Sequence, residues 1–174
     1  NSEGELPAPE HLAFASELGA VWGIAYQRSS QQIFSAAFLK RFVGFGTQGA
    51  GGIYVTNLTE SPVGSDPFIN LANIAGLSIN TGSIPPRDLP DNTGNASRDA
   101  DAFGLVGKMG LGDIDLSEDG QTLWTINLAE KQLISIDISN YLNTGAAPTA
   151  ANINVYTIPN PGCQNSSTLG PGGS

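Results

Sequence analysis

The sequence predicts an all-β chain built from antiparallel sheets of about four strands each. Three observations carry this expectation. Gly (22) and Pro (11) are abundant while only 13% of residues are charged, which suits short strands joined by tight turns better than helices laced with Glu–Lys pairs. Apolar residues alternate with polar ones over runs of about six, the period of a half-buried strand. The run "LGDIDLSEDGQTLWTINL" (111–128) also has a weaker counterpart ninety positions earlier.

In chain order, "HLAFASEL" (11–18) reads as an outer strand left over from a preceding unit. "GIAYQRSSQQIFSAAF" (23–38) reads as a hairpin, with "QRSS" at the turn, and "GGIYVTNL" (51–58) as the third strand. "PFINLANI" (67–74) supplies a fourth. A long irregular stretch follows, roughly 59–110, too polar and too broken by Gly and Pro for core strands. Within it "RDADAFGLVGK" (98–108) has the spacing for one helical turn at Ala102, Phe103 and Val106. "GDIDLS" then alternates, with Ile114 and Leu116 on one face and Asp113 and Asp115 on the other, and "EDG" provides turn chemistry with Gly120 free to take a positive φ. "TLWTIN" returns, "QLISIDI" (132–138) is a third strand, and "NVYTIP" (154–159) a fourth reached by a longer connection. The ungapped offset sets Ile24 against Ile114, Tyr26 against Leu116, Ile33 against Leu123 and Phe34 against Trp124.

Two similar meanders in tandem are the mark of a β-propeller or a related array. The expected organisation is an outer strand of a third blade at 1–18, a first blade at 19–75, a long acidic loop at 76–110, a second blade at 111–163 and a tail at 164–174. Propellers close with about four to eight blades. The expectation is therefore a fragment of a larger propeller, with the remaining blades of the same protein, or other protein chains, as partners.

Composition narrows the function. The net charge of -9 repels phosphate backbones, and Lys40–Arg41 is the only adjacent basic pair, so nucleic acid is not an expected partner. No apolar run reaches the length of a membrane span and no signal peptide is legible, although a mature exported protein would have lost one. The single cysteine, Cys163, cannot close an intrachain disulfide. A bond to another chain or to a missing segment stands against a small packed side chain or a harmless thiol.

The segments "VWGIAYQ", "AAFLKRFVGFG" with "GGIYV", "GKMGLGDIDLSEDGQTLWTINL" and "YTIPNPGC" together resemble the propeller-like region of large bacterial cell-surface proteins that often carry Sdr-type B-like domains. The resemblance runs from Gly19 to Cys163. It implies an extracellular or cell-surface, adhesive or structural setting and hands over no catalytic residues. In such proteins the chain continues past Asn-Pro-Gly-Cys, whereas this one ends in "QNSSTLGPGGS", which fits a fragment.

Several candidate sites follow from the residues themselves. "GFGTQGAGG" (44–52) contains a formal G-x-G-x-x-G at Gly44, Gly46 and Gly49. A dinucleotide site needs a helix next, and a strand pattern follows instead, so a binding loop headed by Lys40 and Arg41 is the expectation. Asp113 and Asp115 share a strand face and would lie near the channel of a propeller. They are either calcium ligands or acceptors of hydrogen bonds from backbone N–H groups or hydroxyls of the neighbouring blade. Asp88, Asp91, Asp99 and Asp101, with Asn92 and Asn95, crowd the long loop, where calcium pinning stands against a solvated acidic surface. His11 has no recognisable nucleophile setting, and no catalytic residue is expected. The N-x-[ST] sequons at Asn57, Asn95 and Asn165 matter only where secreted proteins are glycosylated. Trp22, Trp124, Phe34 and Tyr54 suggest packing between sheets before a platform for surface glycans. The expected function is an extracellular structural or adhesive surface protein that presents its loops 40–52 and 59–110. A metal-dependent propeller hydrolase of the lactonase kind and a carbohydrate-binding module are the alternatives.

Overall fold

The computed structural model describes residues 11–91 and 96–159. Eight strands form two four-stranded antiparallel sheets, each a simple meander. The first contains β1 (Val21–Gln27), β2 (Gln32–Ala37), β3 (Gly52–Asn57) and β4 (Ser65–Asn70). The second contains β5 (Leu111–Leu116), β6 (Thr122–Asn127), β7 (Gln132–Asp137) and β8 (Ile153–Thr157). Three short helical segments decorate them: α1 (Ala15–Leu18), α2 (Ala100–Phe103) and α3 (Ser139–Thr144).

Local chemistry sets the turns. Between β1 and β2 the Gln27 carboxamide oxygen accepts from the Ser30 N–H at 2.9 Å and from the Ser29 hydroxyl at 2.9 Å, and Gln31 closes the turn at φ 53°. Between β5 and β6 Asp119 accepts from the Ser117 hydroxyl at 2.6 Å and from the Gln121 N–H at 3.0 Å, while Gly120 takes φ 69°. That is the positive φ expected of Gly120.

The two hairpins share one register at an offset of ninety. Val21 pairs with Ala37, and after a bulge Ile24 pairs with Ser35. Leu111 pairs with Asn127, and after a bulge at the same place Ile114 pairs with Thr125. A shared bulge places side chains identically, because a slip of one residue would turn every side chain to the other face.

The core lies between the sheets. Phe34, Ala36, Ile53, Ile69 and Leu71 from the first sheet and its trailing turn cluster with Leu111, Ile114, Leu123, Ile134 and Ile136 from the second. Gly23 sits where β1 meets β5. A Cβ there would collide with the Ile114 backbone nitrogen and lie 2.5 Å from an Asp113 carboxylate oxygen, so only glycine permits this approach. Tyr141 of α3 closes one side, edge-on to Phe68 at 4.7 Å, and its hydroxyl accepts from the Gln32 side chain at 3.1 Å.

One expectation needs correction. Residues 11–18 do not form an outer strand. Ala15–Leu18 is a helical turn, because Ala, Glu and Leu favour helix, Glu17 accepts from the Phe14 N–H at 3.0 Å, and Gly19 ends the turn at φ 67°. Ile24 matches Ile114 in register but not in surroundings, being 61% exposed where Ile114 is 2% exposed. By contrast, the helical turn expected in 98–108 is present as α2. The long stretch holds β4 near its start and no other named strand among its described residues, yet it is packed: Ile79 joins the main core, and Ala102 and Met109 form a second cluster with Leu39.

Candidate functional site

Residues 40–52 lie against α1 and the long stretch. The Gly-rich run owes its composition to backbone contact. A Cβ at Gly46 would collide with the Glu17 carbonyl oxygen and the Leu18 backbone, and Gly19 meets Phe45 in an isolated β-bridge. Gly44 lies 3.3 Å, at its Cβ position, from Leu89 of the long stretch. Gly49, at φ 63°, opens a single 3-10 turn, and β3 follows at once. The loop therefore has no helix N-terminus on which a dinucleotide phosphate would sit.

The strongest polar feature beside this loop is an ion pair between Arg87 and Asp99. Arg87 Nε donates to Asp99 Oδ1 at 2.9 Å and Nη2 to Oδ2 at 2.5 Å, with side-chain exposures of 5% and 0%. The same guanidinium donates to the Val43 carbonyl at 2.8 Å and to the Lys40 carbonyl at 2.7 Å. Asp99 also accepts from the Phe42 N–H at 2.7 Å. One fork thus ties three parts of the chain together with charge-assisted bonds. Hydrogen bonding from Arg87 outweighs desolvation and holds the Asp99 carboxyl down at about 2. Asp99 adopts the left-handed conformation, at φ 39° and ψ 49°, which Asp tolerates better than most residues.

Arg41 builds the outer layer. Its guanidinium lies 4.7 Å from the Phe42 ring centroid and 5.6 Å from that of Phe103, and it donates to the Arg98 carbonyl at 3.0 Å. The Arg98 N–H in turn donates to Asp88 at 2.7 Å. Lys40 is exposed and contributes its carbonyl rather than its ammonium to this assembly.

The five acids considered as cation ligands are not brought together. Asp99 is taken up by Arg87 and Phe42. Asp113 and Asp115 are exposed on β5, where they accept from the N–H of the following residue, Ile114 at 3.0 Å and Leu116 at 2.8 Å. Both bonds lie within β5 itself and not to the neighbouring sheet. Asp101 lies exposed on α2, and Asp91 borders the undescribed residues 92–95. Among the described residues no three His, Cys, Asp or Glu side chains form a group able to hold a metal ion. Asn92, Asn95, Cys163 and Asn165 lie outside the described residues.

A second polar feature is a cleft of about 320 Å³ between the β1–β2 and β5–β6 turns, bordered by α3. Gln27, Ser30, Asp119, Gln121 and Asn143 line it. Gln27 donates across it to the Gly120 carbonyl at 3.1 Å. The Ser117 hydroxyl and the Gln121 N–H hold the Asp119 carboxyl below its usual range. The cleft offers hydrogen bonds, while His11, the only histidine, stacks on Phe14 at 6.0 Å.

Sequence reasoning placed Asp99 in the crowded loop but overlooked Arg87 as its partner. The available signal was a lone Arg after two prolines, in a chain with only seven cations, twelve residues before an Asp.

These features define an all-β protein of two stacked meanders with a pinned surface lobe. No helix of the described residues is long and apolar enough to cross a membrane. No family model and no solved structure matches the chain. It is similar to Colossin-D of Dictyostelium discoideum, with 30% identity over 134 residues that make up 75% of this chain. The chain spans 13% of the length of that protein.

Proposed function

We propose that the chain is a propeller-like part of an extracellular structural or adhesive surface protein, in which the two sheets act as successive blades and the lobe around Arg87 presents a contact surface. The observation that carries this reading is the Arg87–Asp99 knot. Loops that only connect strands are mobile and solvated, whereas this one is held by a buried, bidentate ion pair and three backbone contacts. A surface fixed in that way suits recognition, because little conformational entropy remains to be lost on binding. The shared register and bulge of the two hairpins support the blade reading. The hydrolase alternative draws no support from Asp113 and Asp115, which bond their own backbone.

Protease shaving of intact source cells tests the setting. Release of peptides from residues 40–52 and 98–108 is expected while a cytoplasmic marker stays intact. Recovery of those peptides only after lysis would overturn the extracellular assignment.

A further inference from the structure

Corresponding positions in the two sheets carry similar side chains and differ in what covers them. On one face, Phe34, Ala36, Ile53 and Ile69 of the first sheet correspond through the ladders to Trp124, Ile126, Leu133 and Tyr156 of the second. The first set is buried, at no more than 6% exposure, because the second sheet packs on it. Among the described residues no sheet lies on the second set: Tyr156 is 48% exposed, Trp124 stacks on it at 6.1 Å, and neither belongs to the core. On the opposite face, Ile114 and Leu123 are buried against the first sheet, whereas their counterparts Ile24 and Ile33 are not. Tyr26, the counterpart of Leu116, is 50% exposed, and Trp22 beside it is 69% exposed.

The two sheets therefore meet head to tail, one face of the first on the opposite face of the second. Each end of the stack displays the half of that interface which the other end lacks. The uncovered part of the first sheet is also the part that matters. In the internal interface β5 of the second sheet lies against β1 and β2 of the first. In the first sheet α1 and Ala13 pack with Tyr54 of β3 and with Val21 at the start of β1, and leave Ile24 and Tyr26 of β1, the counterpart of β5, exposed. An interface of this type is heterologous, and a further copy satisfies it by repeating a packing already present within the chain.

We propose that a second copy of this chain docks head to tail, setting its Ile24–Tyr26 face on the Trp124–Tyr156 face of the first. The inference goes beyond the proposed function and stands or falls independently of where the protein acts. Apolar, aromatic surfaces of this kind are what buried interface centres use.

Sedimentation velocity on the purified chain is the test, with two exposed-site variants, Ile24→Glu and Tyr156→Glu. Circular dichroism confirms that each is folded, and Tyr26→Lys replaces Ile24→Glu should the latter disturb β1. The unmodified chain is expected to form species larger than a dimer as its concentration rises to on the order of 100 µM, the range of weak specific contacts. Each variant alone is expected to be monomeric, and an equimolar mixture to give a 1:1 dimer and nothing larger, since one intact interface remains. A monomeric unmodified chain at that concentration, self-association of either variant alone, or a mixture that stays monomeric would each overturn the proposal. The first outcome assigns the faces to a different occupant, and the second points to a symmetric contact.

Discussion

Replacing Arg87 by Met, which keeps the stem volume and removes the charge, tests the knot most sharply. Asp99 would remain at 0% side-chain exposure with the Phe42 N–H as its one remaining partner of those described here. Removing one member of a buried ion pair costs about 3–5 kcal/mol, because the survivor keeps its desolvation cost without its counter-charge. The Val43 and Lys40 carbonyls lose donors as well, at about 1 kcal/mol each where water cannot replace them. Against a total stability of about 5–15 kcal/mol, that loss is a large fraction. For a chain of this size the ion-pair loss alone corresponds to a fall in Tm of about 6–20 °C. Urea titration monitored by tryptophan fluorescence and by circular dichroism gives the number directly. The double variant Arg87→Met/Asp99→Asn is expected to recover at least half of the loss, since Asn tolerates the left-handed conformation of this position and leaves no orphaned charge. An Arg87→Met change below about 1 kcal/mol, the range of exposed pairs, would refute the reasoning.

The same pair sets an acid dependence. The folded carboxyl of Asp99 titrates at about 2, below the roughly 4 of an unfolded Asp, so its contribution is complete above about pH 5 and is lost as pH falls through 4 towards 2. Stability measured between pH 7 and pH 2 should lose that part of its slope in Arg87→Met, and an unchanged slope would contradict it. Gly23→Ala forces a Cβ into the Ile114 backbone nitrogen and should destabilise by about 1–3 kcal/mol or more, with thermal melts as the check. Tyr141→Phe removes only the hydroxyl that accepts from Gln32 and should cost about 1 kcal/mol, whereas Tyr141→Ala also removes the ring packed on Phe68 and should cost distinctly more. Calcium at a hundred times its Kd would add about 2.7 kcal/mol to a protein that bound it only when folded. The dispersed carboxylates lead us to expect the same Tm in millimolar calcium and in chelator, within about 1 °C, by scanning calorimetry.

The β5–β6 hairpin was the most legible because alternation and turn chemistry agree there. "GDIDLS" shows this directly: Ile114 is buried while Asp113 and Asp115 are exposed. The offset of ninety anticipated that the two hairpins are equivalent: Tyr26 pairs with Ile33 as Leu116 pairs with Leu123. It did not anticipate exposure, since a sequence pattern reports which face a residue is on but not whether another sheet lies against that face. Ile24 and Ile114 are the same position with opposite surroundings for that reason. Residues 11–18 misled because Leu12, Phe14 and Leu18 are apolar at even spacing, while Ala15 to Leu18 have strong helix propensity and a Gly stop. Asp99 was singled out for its acidity, although its role comes from Arg87, and that pairing depends on how the long stretch folds back over residues 40–43. Composition alone carried no trace of it.

The close approach of β1 to β5 at Gly23 is the contact on which the stacked arrangement rests. In an isotope-labelled sample, a strong NOE between the Gly23 Hα protons and the Ile114 amide proton is expected, since the Cβ direction of Gly23 points directly at the Ile114 nitrogen. Cross-strand NOEs within each sheet together with no Gly23–Ile114 signal would mean that the meanders form but do not stack, and the account would be wrong.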